Sequence, residues 1–142
     1  MSPAARDAQE EALREVAFDA MGRAYAPYSR FRVGAALLGS DGSITPGCNV
    51  ENASYGVTLC AERGAVAAAV ARGVRAFDAL ALATETEHPV TPCGMCRQLL
   101  SEFAPALEIR SYARDGRAAR YNLADLLPHA FTPASLERRS TE

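Results

Sequence analysis

Two short cysteine-bearing segments constrain the fold of this chain more than any other feature of its sequence. Cys93 and Cys96 are three residues apart, so on a helix their side chains share one face. Cys60 comes from an earlier element and is followed two positions later by Glu62. Three thiolates hold a zinc ion and leave its fourth tetrahedral position open to a water molecule. The fold must therefore bring two separate segments together at one ion.

The apolar pattern before these segments predicts a helix followed by a hairpin. One helical stripe covers residues 13–24 and ends before a proline. Residues 31–38 predict a strand, and an Asp-Gly turn joins it to a second strand over about 44–50. The small residues at 34–36 indicate that another element packs closely against the first strand.

The rest of the chain alternates helices with strands. The pattern predicts a helix over about 59–72 that starts at Thr58 and stops at Gly73, a central strand over 77–84, a helix from Thr91 to about Phe103, strands over 107–112 and 118–121, and a short helix over 123–127. The first of these helices is apolar on all sides and is predicted to be buried. Such alternation gives an α/β layer fold with antiparallel pairing from two hairpins.

Composition narrows the class of protein. The 142 residues predict one domain over residues 1–142, with 137–142 as a loose charged tail. No apolar run approaches the roughly 20 residues of a membrane span, and no signal-peptide core is visible, which predicts a cytoplasmic protein without a membrane partner. The net charge of -2 disfavours a nucleic-acid partner. All 15 basic residues are arginine, which excludes lysine Schiff bases and a P-loop.

The predicted helix starts favour zinc chemistry. A helix N-terminus carries partial positive charge and free N–H groups, both of which stabilise thiolates. Glu62 is the candidate proton shuttle for a zinc-activated water. Arg63 is either a donor to a ligand sulfur or a solvated helix arginine. Cys48 is left over and is interpreted as a small buried hydrophobe.

A polar cluster follows the second predicted strand. It consists of Asn49, Glu51 and Asn52. One interpretation is an ordinary polar loop. The other is a set of hydroxyl-binding groups, because carboxylates accept hydrogen bonds and amides both donate and accept them.

At these residues the chain closely resembles the small homotetrameric cytidine deaminases of nucleoside salvage. The resemblance covers about residues 12–136 and is carried by five specific segments: Tyr28–Leu37, Gly47–Gly56, Cys60–Arg63, Pro92–Gln98 and Leu126–Phe131. A cysteine or histidine, one residue, a glutamate and then Pro-Cys-x-x-Cys is the arrangement of zinc deaminases. The resemblance implies a three-layer fold in which a mixed five-stranded sheet is flanked by helices.

The resemblance also implies a function: hydrolytic deamination of cytidine and 2′-deoxycytidine to the uridines, with release of ammonia, by zinc-bound hydroxide attack at C4. It implies one Zn²⁺ per subunit on Cys60, Cys93 and Cys96, with Glu62 as the catalytic proton shuttle and Arg63 as a donor to the thiolates. The implied substrate contacts are Phe31, Asn49, Glu51 and the Ala61 backbone, with Ala53, Tyr55 and Phe131 shared between subunits of a homotetramer.

Three alternatives stay open on the sequence. The first is a deaminase that acts on another small amino-pyrimidine or on a nucleoside antibiotic. A structural zinc module without turnover needs a closed four-ligand site, for which Cys48 is the available fourth cysteine. A redox role for the Cys93–Cys96 pair predicts a disulfide on mild oxidation.

Overall fold

A five-stranded mixed sheet lies at the centre of the computed structural model, which describes residues 1–137. The strands are β1 (Val33–Gly39), β2 (Ile44–Cys48), β3 (Phe77–Thr84), β4 (Glu108–Tyr112) and β5 (Ala118–Asn122). Their spatial order is β2-β1-β3-β4-β5; β3 and β4 run parallel, and the other neighbours run antiparallel. The α/β class and the mixed sheet are therefore confirmed.

Helices cover both faces of this sheet. They are α1 (Pro3–Gly22), α2 (Ala61–Ala71), α3 (Gly94–Phe103) and α4 (Leu123–Leu126). Alternate residues of β1 and β3 point to opposite sides. Ala36, Leu38, Ala79 and Ala81 pack with α1, whereas Ala35, Leu37, Leu80 and Leu82 pack with α2 and α3. The result is three layers, as predicted.

Two glycines allow the helices to approach the sheet closely. A Cβ atom on Gly34 would lie 1.9 Å from the carbonyl oxygen of Ala17 in α1. A Cβ atom on Gly47 would lie 2.3 Å from the carbonyl oxygen of Ala61. The second contact places the first turn of α2 directly against β2. The close packing predicted from the small residues of β1 is confirmed.

Several predicted boundaries are wrong. Helix α1 already begins at Pro3, where the Ser2 hydroxyl accepts the N–H of Ala5 at 3.1 Å. The apolar stripe marks only the buried part of that helix. Strand β1 begins two residues later than predicted, at Val33, and β2 ends two residues earlier, at Cys48.

The predicted N-caps of both site helices are also wrong. The N-cap of α2 is Cys60 and not Thr58, which instead ends a 3₁₀ turn over Tyr55–Val57. The N-cap of α3 is Cys93 and not Thr91. Each cysteine thus stands one step outside its helix, where its backbone is extended.

Helix α2 is not buried on all sides of the single chain. Its outer face exposes Ala67, Ala68 and Ala71, while Ala65 and Ala69 lie in the core. Gly73 ends the helix with φ +87°, as predicted. The predicted charged tail lies outside the described residues from position 138 onward. Within residues 1–137, no helix is both long and apolar enough to cross a bilayer.

Candidate metal centre and substrate cleft

The N-termini of α2 and α3 meet at one end of the strands. Val33 pairs with Thr84, so this is the end at which β1 begins and β3 finishes. Helix α2 precedes β3 and α3 follows it, which brings both helix N-termini to the same place. The sulfur atoms of Cys60, Cys93 and Cys96 lie within 4.8 Å of one another. The two segments that the sequence required to meet do meet.

This sulfur cluster fits a zinc ion. Zinc–sulfur bonds of about 2.3 Å in a tetrahedron place the sulfurs roughly 3.8 Å apart. The Cys93 and Cys96 sulfurs are 3.4 Å apart, and both thiols are free. Cys48 is half-buried and borders a groove with Val16 and Ala20 of α1, outside the cluster. The described residues therefore offer three thiolates and leave one tetrahedral position for a small ligand.

The two cysteines of α3 differ electrostatically. Burial opposes ionisation of Cys93, but the backbone N–H of Cys96 and the neighbouring thiols outweigh it and lower the pKa of Cys93. Cys96 is fully buried, and burial together with the charge of Glu62 raises its pKa strongly. The helix N-terminus thus favours a thiolate at Cys93, whereas burial favours the neutral thiol at Cys96, and a bound cation would oppose that effect.

Arg63 reaches back from α2 to the ligand cluster. Its Nη2 donates to the Thr58 carbonyl oxygen at 2.9 Å and to the Cys60 sulfur at 3.5 Å. Its Nε is buried and has no hydrogen-bond partner within the described chain. Its positive charge therefore lies next to the sulfurs and offsets part of their negative charge.

Glu62 is a buried carboxylate beside the sulfur cluster. It occupies the second position of α2 and is 5% exposed. Burial raises the pKa of Glu62. A carboxylate with a raised pKa exchanges protons more readily near neutral pH.

A cavity of about 310 Å³ opens directly onto these residues. Its volume is at the small end of the range for ligand sites. Four of the predicted substrate contacts border it: Phe31, Asn49, Glu51 and Ala61. The other lining residues are Ser29, Val33, Thr58, Cys60, Glu62, Leu82, Val90, Thr91 and Cys93. One end of the cavity is therefore apolar with sulfur and carboxylate, and the other end is polar.

A second cavity of about 320 Å³ continues from the polar end. It is lined by Tyr28, Ser29, Glu51, Asn52, Tyr55 and Thr58, of which Ser29, Glu51 and Thr58 border both cavities. We call the two cavities together the cleft. Its sulfur-lined part is the inner half, and the part around Tyr55 is the outer half.

Asn49 and Glu51 are anchored by the chain itself. The Asn49 amide accepts the N–H of Val33 at 2.8 Å and donates to the Phe31 carbonyl oxygen at 2.7 Å. Glu51 accepts the N–H groups of Tyr28 and Ser29, each at 3.0 Å, and the Ser29 hydroxyl. An amide has two N–H donors and a carboxylate about four acceptor positions, so each residue keeps one free for a ligand.

Two predicted site residues stay away from the cleft of this chain. Ala53 is exposed and does not border either cavity. Phe131 is 59% exposed, and its carbonyl oxygen accepts the Gln98 amide at 2.8 Å. Tyr55 borders the outer half but is 75% exposed.

The sequence patterns assigned no role in the site to Ser29, Thr58 and Arg97. The first two border both halves of the cleft. Arg97 bonds the Pro92 carbonyl oxygen at 2.7 Å, the Thr91 hydroxyl at 2.8 Å and the Leu126 carbonyl oxygen at 2.9 Å. Ser29 and Arg97 lie inside the motif segments, but their partners follow from the fold and not from spacing.

The fold and the site together define a zinc-dependent hydrolase. The chain belongs to the cytidine deaminase family: the family model "Cytidine and deoxycytidylate deaminase zinc-binding region" matches residues 7–109. The family, the fold and the zinc-dependent class predicted from the sequence are confirmed.

Known relatives agree with this assignment. A cytidine deaminase of Sporosarcina psychrophila is 49% identical over 80% of this chain and 85% of its own length. The crystal structure of cytidine deaminase from Burkholderia pseudomallei is 49% identical, covers 85% of this chain and 98% of its own, and superposes with a TM-score of 0.82. A more distant relative, the blasticidin-S deaminase of Bacillus cereus, is 30% identical over 87% of this chain and 93% of its own length.

Proposed function

We propose that this chain hydrolyses the 4-amino group of cytidine and 2′-deoxycytidine, giving the uridines and ammonia. The observation that carries the proposal is the buried Glu62 carboxylate beside three sulfurs at the inner end of a cleft of nucleoside size. The names of the relatives support the same substrate.

Cys60, Cys93 and Cys96 would hold one zinc ion per chain. When bound, the ion supplies Lewis-acid activation of a water molecule. Arg63 offsets the negative charge of three thiolates, which otherwise weakens that activation. The N-termini of α2 and α3 act in the same direction.

Glu62 moves the protons of the reaction. The water oxygen becomes the new C4 carbonyl oxygen, and both of its protons must be relocated. One goes to ring N3, and the other goes to the amino group, which leaves as ammonia. A single carboxylate that lies next to both the water and the ring edge can carry each proton in turn.

The other cleft residues would hold the nucleoside. Phe31 borders the inner half and flanks the base. The N–H of Ala61 is one of the unpaired donors of the first turn of α2 and meets the base carbonyl oxygen. The free positions on Asn49 and Glu51 bind a ribose hydroxyl.

The charge of the cleft favours a nucleoside over a nucleotide. No arginine is among the described residues that line either half. Glu51 contributes a negative charge to both halves, and its pKa is lowered chiefly by the Ser29 hydroxyl, so it stays ionised. A phosphate group placed there would be repelled.

We further propose a homotetramer that shares its active sites. Large apolar side chains are exposed in the single chain, among them Phe31, Tyr55, Val57 and Phe131. Exposed apolar patches of this kind mark protein interfaces. Ala53, Tyr55 and Phe131 would then complete the cleft of a neighbouring subunit. Thiolate ligands require reduced cysteines, which supports a cytoplasmic location.

A second candidate substrate is a nucleoside antibiotic. The 30% identity to a blasticidin-S deaminase favours it over other amino-pyrimidines. The same cysteines and Glu62 would carry the chemistry, and only the contacts of the outer half would differ.

A substrate panel tests the proposal. Zinc-loaded protein is incubated with cytidine, 2′-deoxycytidine, cytosine, 2′-deoxycytidine 5′-phosphate and blasticidin S, and ammonia and ultraviolet absorbance are followed. We expect turnover of the two nucleosides, at least about 100-fold slower turnover of the nucleotide, and one zinc per chain. Turnover of blasticidin S alone would move the function to the second candidate. Absence of both zinc and turnover would refute the proposal.

A further inference from the structure

The hydroxyl group of Ser29 joins the two halves of the cleft. Its Oγ donates to Glu51 Oε2 and accepts the backbone N–H of Phe31 at 3.0 Å. The backbone N–H of Ser29 also donates to Glu51, on Oε1, at 3.0 Å. One small side chain is thus bonded at once to the proposed sugar-binding carboxylate and to the residue that flanks the base.

The turn around Ser29 is held in an unusual backbone shape. Arg30 has φ +57°, a left-handed conformation that residues other than glycine seldom adopt. Its N–H donates to the Ala26 carbonyl oxygen at 2.9 Å. Strained residues of this kind persist only where their surroundings hold them. The bonds of Ser29 to Glu51 and Phe31 lie on either side of the strained residue and provide that restraint.

Hydrogen bonds from this turn also stabilise the ionised form of the Glu51 carboxyl group. The Ser29 hydroxyl, followed by the backbone N–H groups of Ser29 and Tyr28, lowers the pKa of Glu51. The other titratable residues that border the cleft are Tyr28, Tyr55, Cys60, Glu62 and Cys93. None of them is a permanent cation, so within the described cleft it is the turn that lowers the pKa of Glu51.

We propose that Ser29 is a positioning residue: its hydroxyl fixes the Glu51 carboxylate relative to Phe31 and so sets the spacing between the sugar-binding and base-binding halves. This inference rests on the proposed function, because it assigns the two halves to sugar and base. A substrate with a ring hydroxyl fills both halves and depends on that spacing. A substrate without ring hydroxyls makes no bond to Glu51 and depends on it far less.

The experiment compares Ser29→Ala, Ser29→Thr and Ser40→Ala in the zinc-loaded full chain. Ser40 is the matched control, because its hydroxyl donates to Asp78 at 2.7 Å beyond the opposite end of β1. The values of kcat and KM are measured for cytidine and for 2′,3′-dideoxycytidine. We expect Ser29→Ala to raise KM for cytidine about 10- to 100-fold and to change the dideoxynucleoside less than about 3-fold. Ser29→Thr keeps a hydroxyl group, so its KM for cytidine should stay close to that of the wild type.

Two results would overturn the inference. One is an equal loss on both nucleosides; the other is a Ser29→Ala enzyme that behaves like Ser40→Ala. A carbon-13 NMR titration of the Glu51 carboxyl group, which needs no substrate, provides an independent test. Its pKa should rise in Ser29→Ala and stay unchanged in Ser40→Ala; an unchanged value in Ser29→Ala contradicts the inference. If the wild-type chain deaminates neither nucleoside, the proposed function fails, and the titration still decides whether Ser29 holds Glu51.

Discussion

Helices α2 and α3 begin in the same way. Each is preceded by a cysteine with extended backbone: Cys60 has φ -72° and ψ 154°, and Cys93 has φ -65° and ψ 165°. Their first turns differ in which position faces inward. In α2 the second residue, Glu62, is buried, whereas in α3 the second residue, Met95, is 64% exposed and the third, Cys96, is fully buried.

This difference in rotation determines which side chain of each helix start faces the cleft or the sulfur cluster. Helix α2 presses its first turn against β2 through Gly47, which turns Glu62 toward the cleft. Helix α3 turns its third position inward instead, so that Cys96 joins the sulfur cluster as a second candidate ligand from that segment. Two similar helix starts therefore place one buried carboxylate and three sulfurs together rather than two copies of one half-site.

The arginines of the two helices extend the comparison. Arg63 and Arg97 each donate to a carbonyl oxygen just before their own helix, on Thr58 and Pro92 respectively. Only Arg63 also donates to a ligand sulfur, whereas Arg97 goes on to the carbonyl oxygen of Leu126 at the end of α4. We infer that the first tunes the metal centre and the second holds the scaffold.

The largest effect is expected from the buried ligand of α3. Cys96→Ser should lower bound zinc to less than about a tenth of the wild-type amount and abolish turnover, because two sulfurs do not retain the ion. Cys48→Ser is the matched control and should keep about one zinc per chain. Metal analysis after dialysis checks both. Zinc retained in the first variant, or lost in the second, would break the assignment of ligands.

The second-largest effect is expected at Glu62, and it should distinguish the proton-carrying role proposed for Glu62 from the zinc-binding role proposed for Cys60. Glu62→Gln should retain zinc but lower kcat by about 10²- to 10⁴-fold, because the amide cannot carry a proton. Glu102→Gln, an exposed position on α3, should leave kcat unchanged. Steady-state kinetics with parallel metal analysis measures the difference. Near-normal turnover in Glu62→Gln would refute its role.

Substitution of the two arginines should affect different properties, zinc affinity for Arg63 and stability for Arg97. Arg63→Gln is expected to weaken zinc binding by about 10- to 100-fold, because a donor to the thiolates is lost. Arg97→Gln is expected to lower the free energy of unfolding by about 2–3 kcal/mol, because charged hydrogen bonds to the chain are lost. Competition with a zinc chelator and urea unfolding of the zinc-loaded protein measure the two quantities. Identical profiles for the two variants would remove the distinction between tuning and scaffolding.

The smallest effect lies away from both helices and provides a reference. Glu108 pairs with Arg110 and Arg120 near the α1 face of the sheet, and the Arg110 hydrogen bond is the main cause that lowers the pKa of Glu108 below 4.5. Its stabilising contribution is therefore complete above about pH 4.5 and is lost as the pH falls through the lower folded value. Glu108→Gln should show a weaker loss of stability between about pH 5 and 3 in urea titrations. Equal slopes for variant and wild type would contradict this.

Local patterns predicted the elements well and their starts poorly. Strand β3 spans the predicted residues 77–84, and Gly73 ends α2 as expected. Thr58 and Thr91 are good N-cap residues, yet cysteines take both positions. Intrinsic capping preference is worth only about 1 kcal/mol, and the packing of each helix against the sheet outweighs it.

For the site, the sequence itself specified the three sulfurs and Glu62, because their spacing is a local property of the chain and zinc accepts few ligand types. Only the tertiary structure decided which face of each helix turns inward, where Arg97 reaches and how Ser29 links Glu51 to Phe31. Those contacts join residues far apart in sequence. Their geometry depends on how rigid helices and strands are oriented by close packing, which no local pattern encodes.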